Sequence, residues 1–69
     1  MSDLNTKLLA AHGAQDHDAL VDLYTQAADN APDIDTACFF LTHAYVFALE
    51  QAHPATAQLH ARLREHARV

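Results

Sequence analysis

Turn-forming residues are scarce in this chain of 69 residues, which has one glycine and two prolines. An all-β domain joins many short strands by frequent turns, so this scarcity argues against one. A single glycine also excludes the glycine-rich loops that cradle phosphates and the glycine-flanked turn that carries the nucleophilic serine of many hydrolases. The many alanines and leucines instead favour long helices, and the length allows one domain, residues 1–69.

Basic residues are also few. Four lysines and arginines face nine aspartates and glutamates, so the net charge is −5 with histidine neutral. Basic side chains supply most of a protein's affinity for nucleic acid, and we therefore expect no nucleic-acid partner. Residues 1–50 hold eight of the acids and one base, whereas residues 62–68 hold three arginines and one glutamate. A solvated acidic face beside an ordinary basic helix explains this pattern; the alternatives are a basic partner steered to one end, or two copies aligned head to tail.

Cys38 is the only cysteine, which excludes a disulfide within the chain. Its apolar neighbours predict a buried thiol in the reducing cytosol. The first residues lack the basic start and apolar run of a signal peptide. The apolar stretch 37–49 is shorter than the ~20 residues that a membrane helix needs, and it contains His43. We therefore expect a cytoplasmic protein that does not enter a membrane.

The spacings that metal binding and catalysis require are missing, although the chain has six histidines. Helical zinc sites pair histidines one turn apart, and no two histidines here are three or four residues apart. Cys38 and His43 would point about 140° apart on one helix, so they cannot form a thiolate pair within it. The sequence therefore predicts no metal, no cofactor and no enzymatic activity. We expect the histidines to lie at the surface, except that His43 should be partly buried and hydrogen-bonded.

The apolar stretch 37–49 is the most informative feature that is present. It contains all three phenylalanines, and only Thr42 and His43 in it are frankly polar. A helix that is apolar on nearly every side must be covered by neighbours, so this stretch predicts the central helix of a small bundle. On a helical wheel its residues form three stripes: Cys38, Leu41, Thr42 and Tyr45; Phe40, Ala44 and Phe47; and Phe39, His43 and Val46.

Local signals divide the chain into four helices with short connections. Gly13 suits a left-handed cap at the end of the first helix, Asp16 can cap the second, and Pro32 ends it. The polar run that begins at Asp33 offers several caps for the third helix, and Pro54 suits the first position of the fourth. The predicted fold is all-α, with two antiparallel helical hairpins and helices at about 3–12, 16–30, 34–52 and 55–67.

Residues 23–32, Leu-Tyr-Thr-Gln-Ala-Ala-Asp-Asn-Ala-Pro, resemble the second helix and closing proline of a tetratricopeptide repeat, a helix-turn-helix unit of about 34 residues. Residues 16–20 fit the beginning of that helix, and the chain is about two such units long. Leu41 and Tyr45 fall where the family places a large apolar residue and an aromatic on the first helix of the next unit. The resemblance implies a peptide- or protein-interaction module whose first helices line a concave surface.

In this chain the concave positions would include no lysine or arginine, which favours an apolar partner or a second copy of the chain. These positions are Asn5, Leu9 and His12 of the first helix and Phe39, His43 and Val46 of the third. The wheel favours the same face independently, because helices two and four can cover only about two stripes of helix three. The alternative is that helix one or the tail folds over it.

The sequence therefore predicts a small protein–protein interaction module or adaptor that self-associates through an apolar face of the third helix. The alternative is an acidic regulatory partner, of the antitoxin or inhibitor type, that neutralises a basic protein through the acids of helix two and the turn at Asp33. A charge-driven complex would lose affinity steeply with added salt, whereas an apolar one would not. A metal buffer that uses the histidines is a third hypothesis.

Overall fold

The computed structural model describes residues 3–66, and these form an all-α fold without strands. The predicted fold class is therefore confirmed. Four helices follow one another along the chain: α1 (Asp3–Ala14), α2 (His17–Asp29), α3 (Ile34–Gln51) and α4 (Thr56–Glu65). Residue 67, the predicted end of the fourth helix, lies outside the described residues.

Two aspartates start the central helices as the sequence predicts. The Asp16 carboxylate accepts a hydrogen bond from the backbone N–H of Ala19, at 3.2 Å, and caps α2. Asp33, the first of the alternative caps for α3, accepts one from the N–H of Thr36 at 2.8 Å. Each carboxylate thus satisfies a backbone donor that the first turn of a helix leaves without a partner.

The predicted cap at Gly13 is wrong, because α1 continues through Gly13 to Ala14. The left-handed residue is Gln15, with φ of 54°. The Gln15 N–H donates to the His12 carbonyl and the Asp16 N–H to the Ala11 carbonyl, which is the hydrogen-bond pattern of a Schellman motif. The tight connection to the Asp16 cap therefore sets the end of α1, at the cost of a strained residue other than glycine.

Pro54 precedes α4 rather than occupying its first position, so that prediction is wrong too. His53 organises the turn instead. Its Nδ1 accepts from the N–H of Ala55 at 3.0 Å, and its carbonyl accepts from the Thr56 hydroxyl at 2.7 Å. These bonds complete a turn before the helix begins, which moves its start to Thr56.

The helices pack in the order of the chain, and together they form a flat array. In the described part, α1 packs against α2, α2 makes its most extensive contact with α3, and α3 packs against α4. No other pair of helices makes close backbone contact within residues 3–66. This order of contacts is the one that two consecutive helical hairpins produce, and the Cα atoms extend over 31 × 29 × 12 Å.

Two apolar clusters hold the array together. The larger joins α2, α3 and α4 and contains Val21, Ala28, Cys38, Leu41, Ala44, Ala48, Leu59 and Leu63. The smaller joins α1 to α2 through Ala11, Leu20 and Leu23. Tyr24 and Phe47 are partly buried and pack against both clusters, so they connect the two hairpins. Cys38 is a buried free thiol, as its apolar neighbours predict.

Candidate interaction surface

The outer side of α3 presents a strip of apolar side chains to solvent. Phe39 is 58% exposed, Val46 47% and Leu49 53%, and Thr42 between them is exposed too. Successive spacings of three, four and three residues place these four side chains on one side of the helix, over a length of about 15 Å. We call Phe39, Thr42, Val46 and Leu49 the α3 strip.

The strip exists because the neighbouring helices cover only the opposite side of α3. Cys38, Leu41, Ala44 and Ala48 on that side are buried against α2 and α4. No charged residue lies within the strip. Asp35 lies one turn before Phe39, and Glu50 follows directly after Leu49. Alternating three- and four-residue spacing is the pattern by which a helix packs its side chains against another helix.

Thr42 lies differently from what the wheel predicts, and Leu49 belongs to none of the predicted stripes. The wheel groups Thr42 with Cys38 and Leu41, which are buried, but Thr42 is exposed, and its hydroxyl donates to the Cys38 carbonyl at 2.8 Å. This local bond satisfies the hydroxyl without a partner from another helix. Leu49 was not among the predicted site residues. Its spacing from Phe39, Thr42 and Val46 is the sequence signal that could have identified it.

A cluster of aromatic and histidine rings centred on Tyr24 lies beside the strip. The ring of Tyr24 contacts four others, with centroid separations of 5.8 Å to His12, 6.1 Å to Phe40, 5.1 Å to His43 and 6.0 Å to Phe47. His17 adds a further ring, 5.3 Å from Phe47. Ring pairs at such separations stabilise the contacts between α1, α2 and α3 beyond the effect of buried area alone.

Hydrogen bonds fix two histidines of this cluster. His12 Nε2 lies 2.8 Å from the Tyr24 hydroxyl, so the end of α1 is tied to α2. His43 Nδ1 lies 2.8 Å from the Phe39 carbonyl, which can only accept, so Nδ1 carries the donated proton. The His43 ring also contacts Phe39, with centroids 4.5 Å apart. His43 is half-buried, and through these two contacts it positions Phe39 at the edge of the strip.

An apolar groove of about 310 Å³ runs along α3 between the strip and the ring cluster. It is lined by Thr42, His43, Val46 and Phe47. The groove makes the outer side of α3 concave next to Val46, a shape that can receive an apolar side chain from a partner.

Of the three predicted α1 residues, His12 and Leu9 lie beside this surface, whereas Asn5 lies apart from it. His12 joins the cluster that contains His43 and, through it, Phe39. Leu9, 65% exposed, lies one turn before His12 on the same side of α1. Asn5 lines a different groove, of about 300 Å³, in which Phe40 faces the end of α2. The surface is therefore built mainly by α3, with the last turns of α1 at its side.

Within residues 3–66, no group of three or more His, Cys, Asp or Glu side chains could hold a metal ion. Cys38 is a free thiol buried in the larger apolar cluster. Over the same residues, no helix combines the length and apolar character needed to cross a membrane.

No protein-family model, curated protein or solved structure matches this chain.

Proposed function

We propose that this protein is a small protein–protein interaction module that self-associates through the α3 strip. The observation that carries the proposal is the exposure of Phe39, Val46 and Leu49 on the longest helix at the spacing of a helix-packing seam. Burying side chains of this size on both partners is the main favourable term in most protein associations.

A second copy of the chain is the partner that best fits the strip. Each chain carries a net charge of −5, so two copies repel unless they meet through a surface free of acids or through surfaces of opposite local charge. The strip is such a surface, because its four residues are uncharged. In a two-fold dimer the same patch contacts itself, and each apolar side chain of one copy finds an apolar counterpart on the other.

The wider organisation that we propose is a tetratricopeptide-like array of helix pairs in the cytoplasm, with binding rather than catalysis as its role. The succession of packed helices supports the repeat-like organisation. The buried free thiol of Cys38 is in keeping with a reducing compartment. Within residues 3–66 only α2 and α4 pack closely on α3, so self-association supplies burial that these two helices do not.

Replacing Val46 by glutamate tests the proposal. At micromolar concentration and moderate salt we expect the native chain to be a dimer and the Val46→Glu chain to have the single-chain mass of 7.6 kDa. The dimer should weaken by at least about a hundredfold, since two-fold symmetry places two carboxylates in an apolar interface. The measurement is sedimentation equilibrium, with circular dichroism to confirm the helix content of both chains.

Gln58→Glu is the matched control, because Gln58 is an exposed residue of α4 that lies outside the strip. It adds the same charge and should leave the dimer intact. A native chain that is monomeric at these concentrations would overturn the proposal, as would a Val46→Glu chain that dimerises like the native one.

A second candidate function rests on the acidic side of α2. Asp18, Asp22 and Asp29 are all exposed and their spacings of four and seven residues place them on one side of the helix, where a basic protein could bind. Asp29 already forms an ion pair with Arg62 at 2.7 Å, which reduces the charge on offer. A complex of this kind would dissociate as salt is added, whereas an association through the α3 strip would persist.

A further inference from the structure

The two ends of the helical array are open, and their surfaces are complementary. Among the described residues, α1 packs closely on α2 alone and α4 on α3 alone. At the first end, α1 and α2 form a groove of about 520 Å³, whose small side chains are Ala10, Ala11, Ala14 and Ala19. Such small residues leave room for the close approach of another helix. This groove is separate from the α3 strip and shares no residue with it.

The rim of the groove is charged. Asp16 and Asp22 lie on the α2 side, and Lys7 lies on the α1 side. Asp22 is seven residues before Asp29, so the two carboxylates point to the same side of α2. The groove thus combines an apolar floor with acids along one rim.

The open side of α4 has the opposite character. Ala57, Ala61 and Arg64 are exposed and follow one another at spacings of four and three residues, so they share one side of the helix. Glu65 is exposed beside them. This side could enter a groove floored by alanines, with Arg64 near the acidic rim and Glu65 near Lys7.

Within one chain, α4 already binds α2 by the same chemistry. Arg62 donates to the Asp29 carboxylate at 2.7 Å, an ion pair between partly exposed side chains. Arg64 points away from this contact because it lies two residues further along the helix. Arg62 therefore ties α4 to its own α2, while Arg64 is placed to meet the α2 of another molecule.

We propose that a second copy of the chain docks the open side of its α4 into the α1–α2 groove, so that Arg64 pairs with Asp22 of the neighbouring molecule. This head-to-tail contact joins two different surfaces, and it can therefore extend into a row or close into a ring. It accounts for the concentration of acids in residues 1–50 and of arginines in residues 62–68. The contact is independent of the α3 strip and of the function proposed above.

A charge exchange tests the contact on the Val46→Glu background, which removes the α3 strip as an alternative interface. At millimolar concentration and low salt, we expect this parent chain to associate, with a weight-average mass that rises above 7.6 kDa. Arg64→Asp places two acids opposite each other, and Asp22→Arg places two arginines opposite each other. Each chain alone should lose association by about tenfold or more, because like charges then face each other in a close pair.

An equal mixture of the two variants should associate again, because every α4 then meets a groove of opposite charge. Asp35→Arg is the control, since Asp35 is exposed at the start of α3 and does not line the groove; it changes the net charge by the same amount as Asp22→Arg and should leave association unchanged within about twofold, as expected for a charge outside the contact. Sedimentation velocity over a dilution series provides the masses. A parent that stays monomeric, or a mixture that fails to recover association, would overturn the inference.

Discussion

Tyr24 is the residue on which the contacts between the two hairpins converge. It packs against both apolar clusters, lies against the rings of His43 and Phe47, and accepts or donates the hydrogen bond to His12. Its ring and its hydroxyl do different things. The ring fills the space between α2 and α3, whereas the hydroxyl holds the end of α1.

These two contributions can be separated by substitution. Tyr24→Phe keeps the ring and loses one partly exposed hydrogen bond, so we expect the free energy of unfolding to fall by about 0.5–1 kcal/mol. Tyr24→Ala removes the ring as well and should cost about 2–3 kcal/mol, below the range for a fully buried aromatic because Tyr24 is only half-buried. Urea unfolding followed by circular dichroism measures both. Equal costs for the two variants would show that the ring contacts contribute nothing.

At the scale of the element, α3 depends on its first cap. The backbone N–H of Thr36 donates to the Asp33 carboxylate and, with the hydrogen bond of the Thr36 side chain, holds the pKa of Asp33 below its ordinary value of 3.8. A lowered pKa in the folded state means that the folded chain favours the ionised carboxylate. The cap therefore stabilises the fold fully above the ordinary pKa, and this contribution is lost as the pH falls through the lowered one.

Asp33→Asn tests that dependence. The amide oxygen of asparagine can still cap α3, but it does not titrate. We expect the native chain to lose stability more steeply than the Asp33→Asn chain as the pH falls from about 5 to about 2. This is the range in which carboxylates titrate. Thermal unfolding at a series of pH values measures the difference. Parallel stability profiles would show that the Asp33 cap does not titrate with the fold.

The end of α1 gives a second test of an element boundary. Gly13 lies inside the helix, without a positive φ, and a Cβ added to it would meet nothing within 4 Å. Gly13→Ala should therefore raise the free energy of unfolding by about 0.5–1 kcal/mol, because alanine restricts the unfolded chain and favours the helix. Urea unfolding again measures it, and Ala10→Gly in the same helix should have the opposite effect. A destabilised Gly13→Ala chain would contradict this helix boundary.

Local chemistry made the helices predictable, and packing between helices limited what the sequence could say about the surface. The caps at Asp16 and Asp33 depend on neighbours within three residues, so the sequence alone identifies them. The exposure of Thr42 and Leu49 depends on how α3 is rotated against α2 and α4. A helical wheel gives the angles between side chains but not which side of α3 the neighbouring helices cover. The wheel therefore groups Phe39 and Val46 with the half-buried His43, whereas the exposed strip also contains Thr42 and Leu49.

At the scale of the whole molecule, the flat array explains why so much apolar surface is left. A closed bundle would place a helix on every side of its central helix, whereas here α3 packs closely against α2 and α4 only, within the described residues. The side of α3 that α2 and α4 leave uncovered is the α3 strip. One end of the array forms the groove of α1 and α2, and the other end presents the open side of α4. We propose that further copies of the chain associate at these surfaces.

We propose that the α3 strip of one copy is covered by a second copy. Isotope-filtered nuclear Overhauser spectroscopy on a mixture of labelled and unlabelled chains tests it most directly, because it detects only contacts between molecules. We expect intermolecular contacts from the side chains of Phe39, Val46 and Leu49, and their loss in the Val46→Glu chain. Intermolecular contacts confined to other surfaces, or none at concentrations where the native chain is fully folded, would contradict it.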